Sequence, residues 1–120
     1  MGNSYRDLVV WQRAVQLSLE VYRLTSQFPD AERFGLTNQL RRASVSVASN
    51  IAEGYGKASR GEYHSSLGHA RGSTFEIQTQ LVIADGLGFG DSTMRRTASA
   101  LSEEVSRMLV AIMNKTRPKK

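Results

Sequence analysis

The chain has 120 residues and a formal net charge of +5, with 16 Lys and Arg against 11 Asp and Glu and no cysteine. That composition excludes disulfides, thiol catalysis and cysteine-built zinc sites, and the length suits one domain (1–120) with a core of its own. No run reaches the roughly 18 apolar residues of a membrane span, because Leu81-Val82-Ile83-Ala84 is broken by Asp85.

Twelve of the 16 cations are Arg, whose planar fork of donors suits phosphate and carboxylate, so the balance leans toward anionic partners. The first residues lack a basic-then-apolar signal pattern. Met1-Gly2 is followed by Arg6 where a myristoylation motif wants Ser or Thr. A cytoplasmic protein is expected.

Four segments carry apolar residues at four-three spacing. In the first, Val10, Ala14, Leu17, Val21, Leu24 and Phe28 form a stripe flanked by Leu8, Trp11, Val15 and Tyr22, with Asp7 as N-cap and Phe28-Pro29 as the stop. The second segment is entered through Asp30 or Thr37 and ends at Gly54 and Gly56. It has two apolar arcs: Leu36, Leu40, Ala43, Val47 and Ile51 on one side, and Val45, Ala48, Ala52 and Tyr55 on another. Arg42, Ser46, Ser49 and Glu53 share the strip between them. One bundle core covers one arc, so the second calls for another cover, most simply a neighbouring subunit.

The third segment opens with the capping box Ser59-x-x-Glu62 and carries Tyr63, Leu67, Ala70, Thr74, Ile77, Leu81 and Ala84 in register. Gly86, Gly88 and Gly90 end it. Asp91 or Ser92 caps the fourth, where Met94, Ala98, Leu101, Val105, Met108 and Ile112 repeat the rhythm. The basic tail 115–120 has nothing to bury and is expected to fray. A 3.5-residue apolar period on four segments, joined by short connections, predicts an all-α, antiparallel up-down-up-down four-helix bundle with helices crossing at about 20°.

The third segment bears a second, polar stripe: Glu62, Ser66, His69, Ser73, Glu76 and Gln80. Three readings stand side by side: a solvated face, a buried network of Arg42, Ser46, Asn50, Glu53, Ser73 and Glu76, or a ligand or catalytic site. Gly68 and Gly72, continued by Phe75, Val82 and Gly86, leave a smooth groove on another side. Two helix-interior glycines cost about 1 kcal/mol each against alanine, which points to close approach by another helix, within the bundle or from a second subunit. The candidate oligomer interface is therefore Val45, Ala48, Ala52, Tyr55, Gly68, Gly72 and Phe75.

No metal site is read, since His64 and His69 lie on different helix faces and neither Glu-x-x-His nor His-Glu-x-x-His occurs. No serine sits on a strand-to-helix elbow. Gly54-Tyr55-Gly56-Lys57-Ala58-Ser59 lacks full phosphate-loop spacing, yet leads into a helix N-terminus beside Lys57 and Arg60. Arg41, Arg42, Lys57, Arg60, Arg71, Arg95 and Arg96 are the candidate nucleic-acid contacts. They would act on phosphates, since no RRM, KH or zinc-finger signature is present and few aromatics are available for stacking, with Tyr5, Tyr55 and Tyr63 the candidates.

Trp11, Phe28-Pro29, Gly35-Leu36, Gln39-Leu40-Arg41-Arg42-Ala43, Ser46, Asn50-Ile51-Ala52-Glu53-Gly54 and Gly72-Ser73-x-x-Glu76 together resemble the bacterial four-helix-bundle family of ribosomal-RNA intervening-sequence proteins. The resemblance covers nearly the whole chain, with Asn50 to Gly54 and the upstream Arg-Arg its most specific part. It implies a cytosolic homo-pentamer and no enzymatic activity; no cofactor is expected. More distant relatives resemble the accessory protein of diversity-generating retroelements, which binds nucleic acid and a reverse transcriptase. The expected function is a non-enzymatic oligomer engaging RNA or DNA. An adaptor for another protein is the alternative, and an enzyme using Glu53, Glu76 and His69 the third reading.

Overall fold

The computed structural model describes residues 4–57 and 59–117. Four helices carry the fold: α1 (Val9–Thr25), α2 (Leu36–Tyr55), α3 (Arg60–Leu87) and α4 (Ser92–Thr116), with short 3₁₀ turns at Tyr5–Asp7 and Asp30–Glu32. No strand occurs among the described residues. α1 packs on α2, α2 on α3, α3 on α4, and α4 closes back on α1. Numbers rise on one helix as they fall on its neighbour. Ser46 meets Ser73, and Gly54 meets Ser66, across α2 and α3; Arg13 meets Glu104 across α1 and α4. The result is an antiparallel four-helix bundle.

The four apolar stripes turn inward together. Leu17, Leu24, Leu40, Ile51, Leu67, Ile77 and Leu109 are among the largest fully buried side chains. Burying side chains of this size stabilises by roughly 1.5–3 kcal/mol each before chain entropy is subtracted. On α4 the stripe is carried by Leu109, fully buried, rather than by Met108, which only packs against the core edge.

The helix ends hold three departures from expectation. Asp7 does not cap α1; it closes the first 3₁₀ turn, which Ser4 caps through the Arg6 N–H. Neither Asp30 nor Thr37 caps α2. Gly35 holds that position, and the Glu32 carboxylate accepts from the Leu36 N–H at 3.0 Å, so a preceding turn supplies the acceptor. Lys115 and Thr116 remain helical, with Thr116 Oγ1 donating to the Ile112 carbonyl, and Arg117 is the C-cap; the rest of the tail expectation falls on residues 118–120, outside the described residues. Ser59 and Asp91 do cap α3 and α4, accepting from Glu62 N and Met94 N.

Two glycines are fixed by space. A Cβ on Gly54 would stand 2.7 Å from Ser66 Cβ, so α2 and α3 approach closely there. Gly90 has φ of 73° and its missing Cβ would lie 2.7 Å from Leu24 Cδ1. By contrast, among the described residues nothing lies within 4 Å of a Cβ on Gly72 or Gly86, and Gly68 meets only Met113 Cε at 3.7 Å. No close helix approach inside the bundle uses those three positions.

The second arc of α2 is partly covered within the chain. The Tyr5–Asp7 turn contacts α2, Trp11 stacks edge-on against Tyr5, and Ala48 packs on the core, leaving Ala52 and Tyr55 half-buried and Val45 exposed. The large apolar side chains left in water are Phe75, Val82, Ile83 and Leu87 on α3, Leu19, Tyr22 and Val45 on α1 and α2, and Val9 and Phe34.

Candidate functional site

The polar stripe of α3 faces a matching strip of α2, and the two line a groove along the bundle. At its middle Ser73 Oγ donates to Ser46 Oγ at 3.1 Å, and Asn50 Nδ2 donates to the same oxygen at 3.0 Å and to the Ser46 carbonyl at 2.9 Å. These three uncharged side chains form the network. Arg42, Glu53 and Glu76, expected to join it buried, are exposed, and among the described residues none forms an ion pair. The groove is open, and a charge that can stay hydrated avoids the desolvation cost of burial.

Toward the start of α2 the groove opens into a cavity of about 370 Å³ lined by Asn38, Gln39, Arg42, Ala43, Ser46, Glu76 and Gln80. Gln80 is the one residue of the polar stripe besides Ser73 to be buried, and its Oε1 has no hydrogen-bond partner among the described residues. Sequence reasoning did not single out Asn38, Gln39 or Gln80 as lining one place. The available signal was spacing: Asn38 and Gln39 precede Arg42 by one helical turn. Toward the other end, Asn50, Glu53, Lys57, Glu62, Ser65, Ser66 and His69 line a second recess. Glu53 and His69 thus share a recess from which Glu76 is absent, and all three are exposed. The catalytic arrangement that would need them together is not built.

The seven candidate cations do not form one surface. Arg41 is spent inside the chain: Nε donates to Thr25 Oγ1 at 2.8 Å and the guanidinium lies 4.6 Å over the Tyr22 ring. Arg95, its side chain 11% exposed, pairs with Asp85 at 3.2 Å and donates to the Phe89 and Gly90 carbonyls, closing the α3–α4 connection. Arg71 stacks 5.0 Å over Phe75 with its Nε buried and unbonded. Arg96 reaches only Thr93 Oγ1. Arg42 and Lys57 make no hydrogen bond or ion pair among the described residues.

Arg60 does gather with others. Its guanidinium donates to the Lys115 carbonyl, and His64 lies 3.4 Å from Thr116 Oγ1, so the start of α3 and the end of α4 bring Lys57, Arg60, Lys115 and Arg117 to one end of the bundle. The α3 N-terminus itself is answered within the chain. Ser59 Oγ accepts from Glu62 N, and the Glu62 carboxylate sits in the first turn. Nearby Tyr63 packs edge-to-face on Tyr55 at 6.3 Å; burial, with a smaller contribution from Tyr55, raises its hydroxyl above the ordinary tyrosine pKa. No group of three or more His, Asp or Glu is placed to hold a metal among the described residues. Nor is any helix there long and apolar enough to cross a membrane.

The 23S rRNA-intervening sequence protein family matches residues 6–111. The chain belongs to that family. No curated protein matches it. Among solved structures it is similar to a protein of unknown function from the S23 ribosomal protein family of Bacteroides thetaiotaomicron VPI-5482, with a TM-score of 0.81 and 19% identity, covering 88% of this chain and 98% of that one. At that identity the likeness speaks for the fold, and the intervening-sequence protein shares it along nearly its whole length.

Proposed function

We propose that this intervening-sequence protein is a non-enzymatic, self-assembling protein that engages nucleic acid, RNA foremost, through Arg and Lys contacts to phosphate. The observation that carries the reading is the basic end of the bundle, where Lys57, Arg60, Lys115 and Arg117 come together on a chain of net charge +5. Arg42, Arg71 and Arg96 add cations along the flanks. Arg41 and Arg95 serve the fold first. The family's name, which refers to 23S rRNA intervening sequences, points the same way.

Self-assembly is supported by two unlike apolar surfaces on one molecule: the α3 face around Gly72, Phe75, Val82 and Ile83, and the α1–α2 face around Leu19, Tyr22 and Val45. Unlike patches meet head to tail, and such contacts close into a ring when the rotation permits. The ring proposed is a pentamer, the assembly that the family resemblance implies. Binding of a mixed-sequence RNA, followed by fluorescence anisotropy as salt rises from about 50 to 200 mM, tests the RNA reading, with a log–log slope of about −0.7 or −0.9 expected per phosphate contact. A flat response, or no binding at the lowest salt, overturns it. The same α3 face favours the second reading, an adaptor for another protein; that reading gains if Phe75→Glu abolishes capture of a protein partner while RNA never binds.

A further inference from the structure

Between the end of α3 and the start of α4 lies a cavity of about 380 Å³, lined by Leu81, Val82 and Asp85 from α3 and by Arg95, Arg96 and Ser99 from α4. It is separate from the α2–α3 groove, and from the recess that Phe75 and Ile83 share with Gln39. Arg95 reaches this cavity already fixed. Its Nε donates to Asp85 and its Nη1 to the Phe89 and Gly90 carbonyls, which leaves Nη2 without a partner among the described residues. Arg96 bonds only Thr93 Oγ1, and the Ser99 hydroxyl bonds nothing there. The unbonded side-chain atoms sealed from solvent among the described residues are Arg71 Nε and Gln80 Oε1, so Arg95 Nη2 and Ser99 Oγ stay within reach of a ligand.

Three features select what that ligand is. Two guanidiniums face one carboxylate, so the cavity carries a single unbalanced positive charge. Guanidinium donors match the two oxygens of a carboxylate. Asp85, its side chain 71% exposed, repels a second negative charge, which disfavours a phosphate dianion. Leu81 and Val82 form the rest of the wall as apolar surface, which an inorganic anion cannot use. The volume lies within the range of about 300–1,000 Å³ usual for small-molecule sites. We infer that this cavity binds a small monocarboxylic acid with an apolar tail. The carboxylate accepts from Arg95 Nη2, Arg96 and the Ser99 hydroxyl, and the tail lies along Leu81 and Val82. The site is independent of the RNA reading above.

The test titrates the whole protein with acetate, butyrate and hexanoate, and with hexanol and inorganic phosphate, by ligand-observed NMR. Affinity is expected to rise about two- to fourfold for each added methylene, the scale of burying one CH₂. Hexanol, which lacks the charge, and phosphate, which lacks the tail, are expected to bind about tenfold more weakly than hexanoate, or worse. Arg96→Gln should cost about tenfold in hexanoate affinity while leaving the thermal midpoint of the ligand-free protein unchanged, since Arg96 is exposed and bonds only Thr93. Val82→Ser should flatten the dependence on chain length and leave acetate binding as it was. No hexanoate binding up to about 10 mM, phosphate or hexanol binding as tightly as hexanoate, or an affinity that survives Arg96→Gln overturns the site. None of these outcomes bears on the RNA reading, which the salt response of the mixed-sequence RNA decides by itself.

Discussion

Ser73 Oγ and Asn50 Nδ2 converge on a single acceptor, Ser46 Oγ, at 3.1 and 3.0 Å. One hydroxyl thus joins α3 to α2 and also steadies the next turn of α2. Ser46→Ala removes the acceptor of the buried Ser73 hydroxyl and leaves Asn50 only the Ser46 carbonyl, so it should cost about 1–3 kcal/mol in chemical denaturation. Ser73→Ala removes one donor and should cost less. Equal, negligible losses for both would mean the groove is wet enough for water to replace the network.

Gly54 and Gly72 should respond in opposite directions to the same substitution. Gly54→Ala drives a methyl to 2.7 Å from Ser66 Cβ, an atom fixed to backbone, and should destabilise by about 1–3 kcal/mol. Gly72→Ala meets nothing among the described residues, so it should stabilise an isolated bundle by up to about 1 kcal/mol. If Gly72→Ala instead lowers the assembled mass in light scattering, another copy sits against that face.

The raised hydroxyl of Tyr63 makes a pH prediction. Its folded pKa lies above the unfolded value of about 10. Above that value the unfolded chain holds fewer protons than the native one, so stability falls as pH rises. The contribution is whole below pH of about 10 and is lost as pH climbs through the folded pKa. Denaturation midpoints at pH 8 through 11, together with phenolate absorbance, check this. Tyr63→Phe should flatten its part of the decline.

Cations that look alike in sequence should separate by role. Arg95→Ala should destabilise by about 1–3 kcal/mol, because it frees the Phe89 and Gly90 carbonyls, while barely moving the salt slope of RNA binding. Lys57→Glu and Arg60→Glu should reduce that slope by about 1 each with little change in stability. The reverse pattern would place the nucleic-acid surface at the α3–α4 connection.

The fold was readable because each helix repeats its apolar residues in register: Leu17, Leu40, Leu67 and Leu101 announce a shared interior wherever the helices end. Caps were readable where a side chain does the capping, at Ser59 and Asp91. They were not readable at α1 and α2, where 3₁₀ turns precede the helix and Glu32 reaches forward from one of them. The second arc of α2 was only partly legible, because the Tyr5–Asp7 turn that packs on α2 is a short aperiodic piece with no helical signal. Candidate cations were the least legible feature. Arg41 and Arg95 differ from Arg42 and Arg96 by one position each, and that single step of about 100° turns a guanidinium from water to a neighbouring helix or carbonyl.

An even number of antiparallel helices brings Val9 and Thr116 to the same pole of the bundle, the pole where Arg60 meets Lys115. A purification tag or fluorophore appended at either extremity would therefore crowd the very cations whose partner is sought. Labels placed instead near the hairpin bend at Gly88, on the far pole, would report on binding without standing in its way.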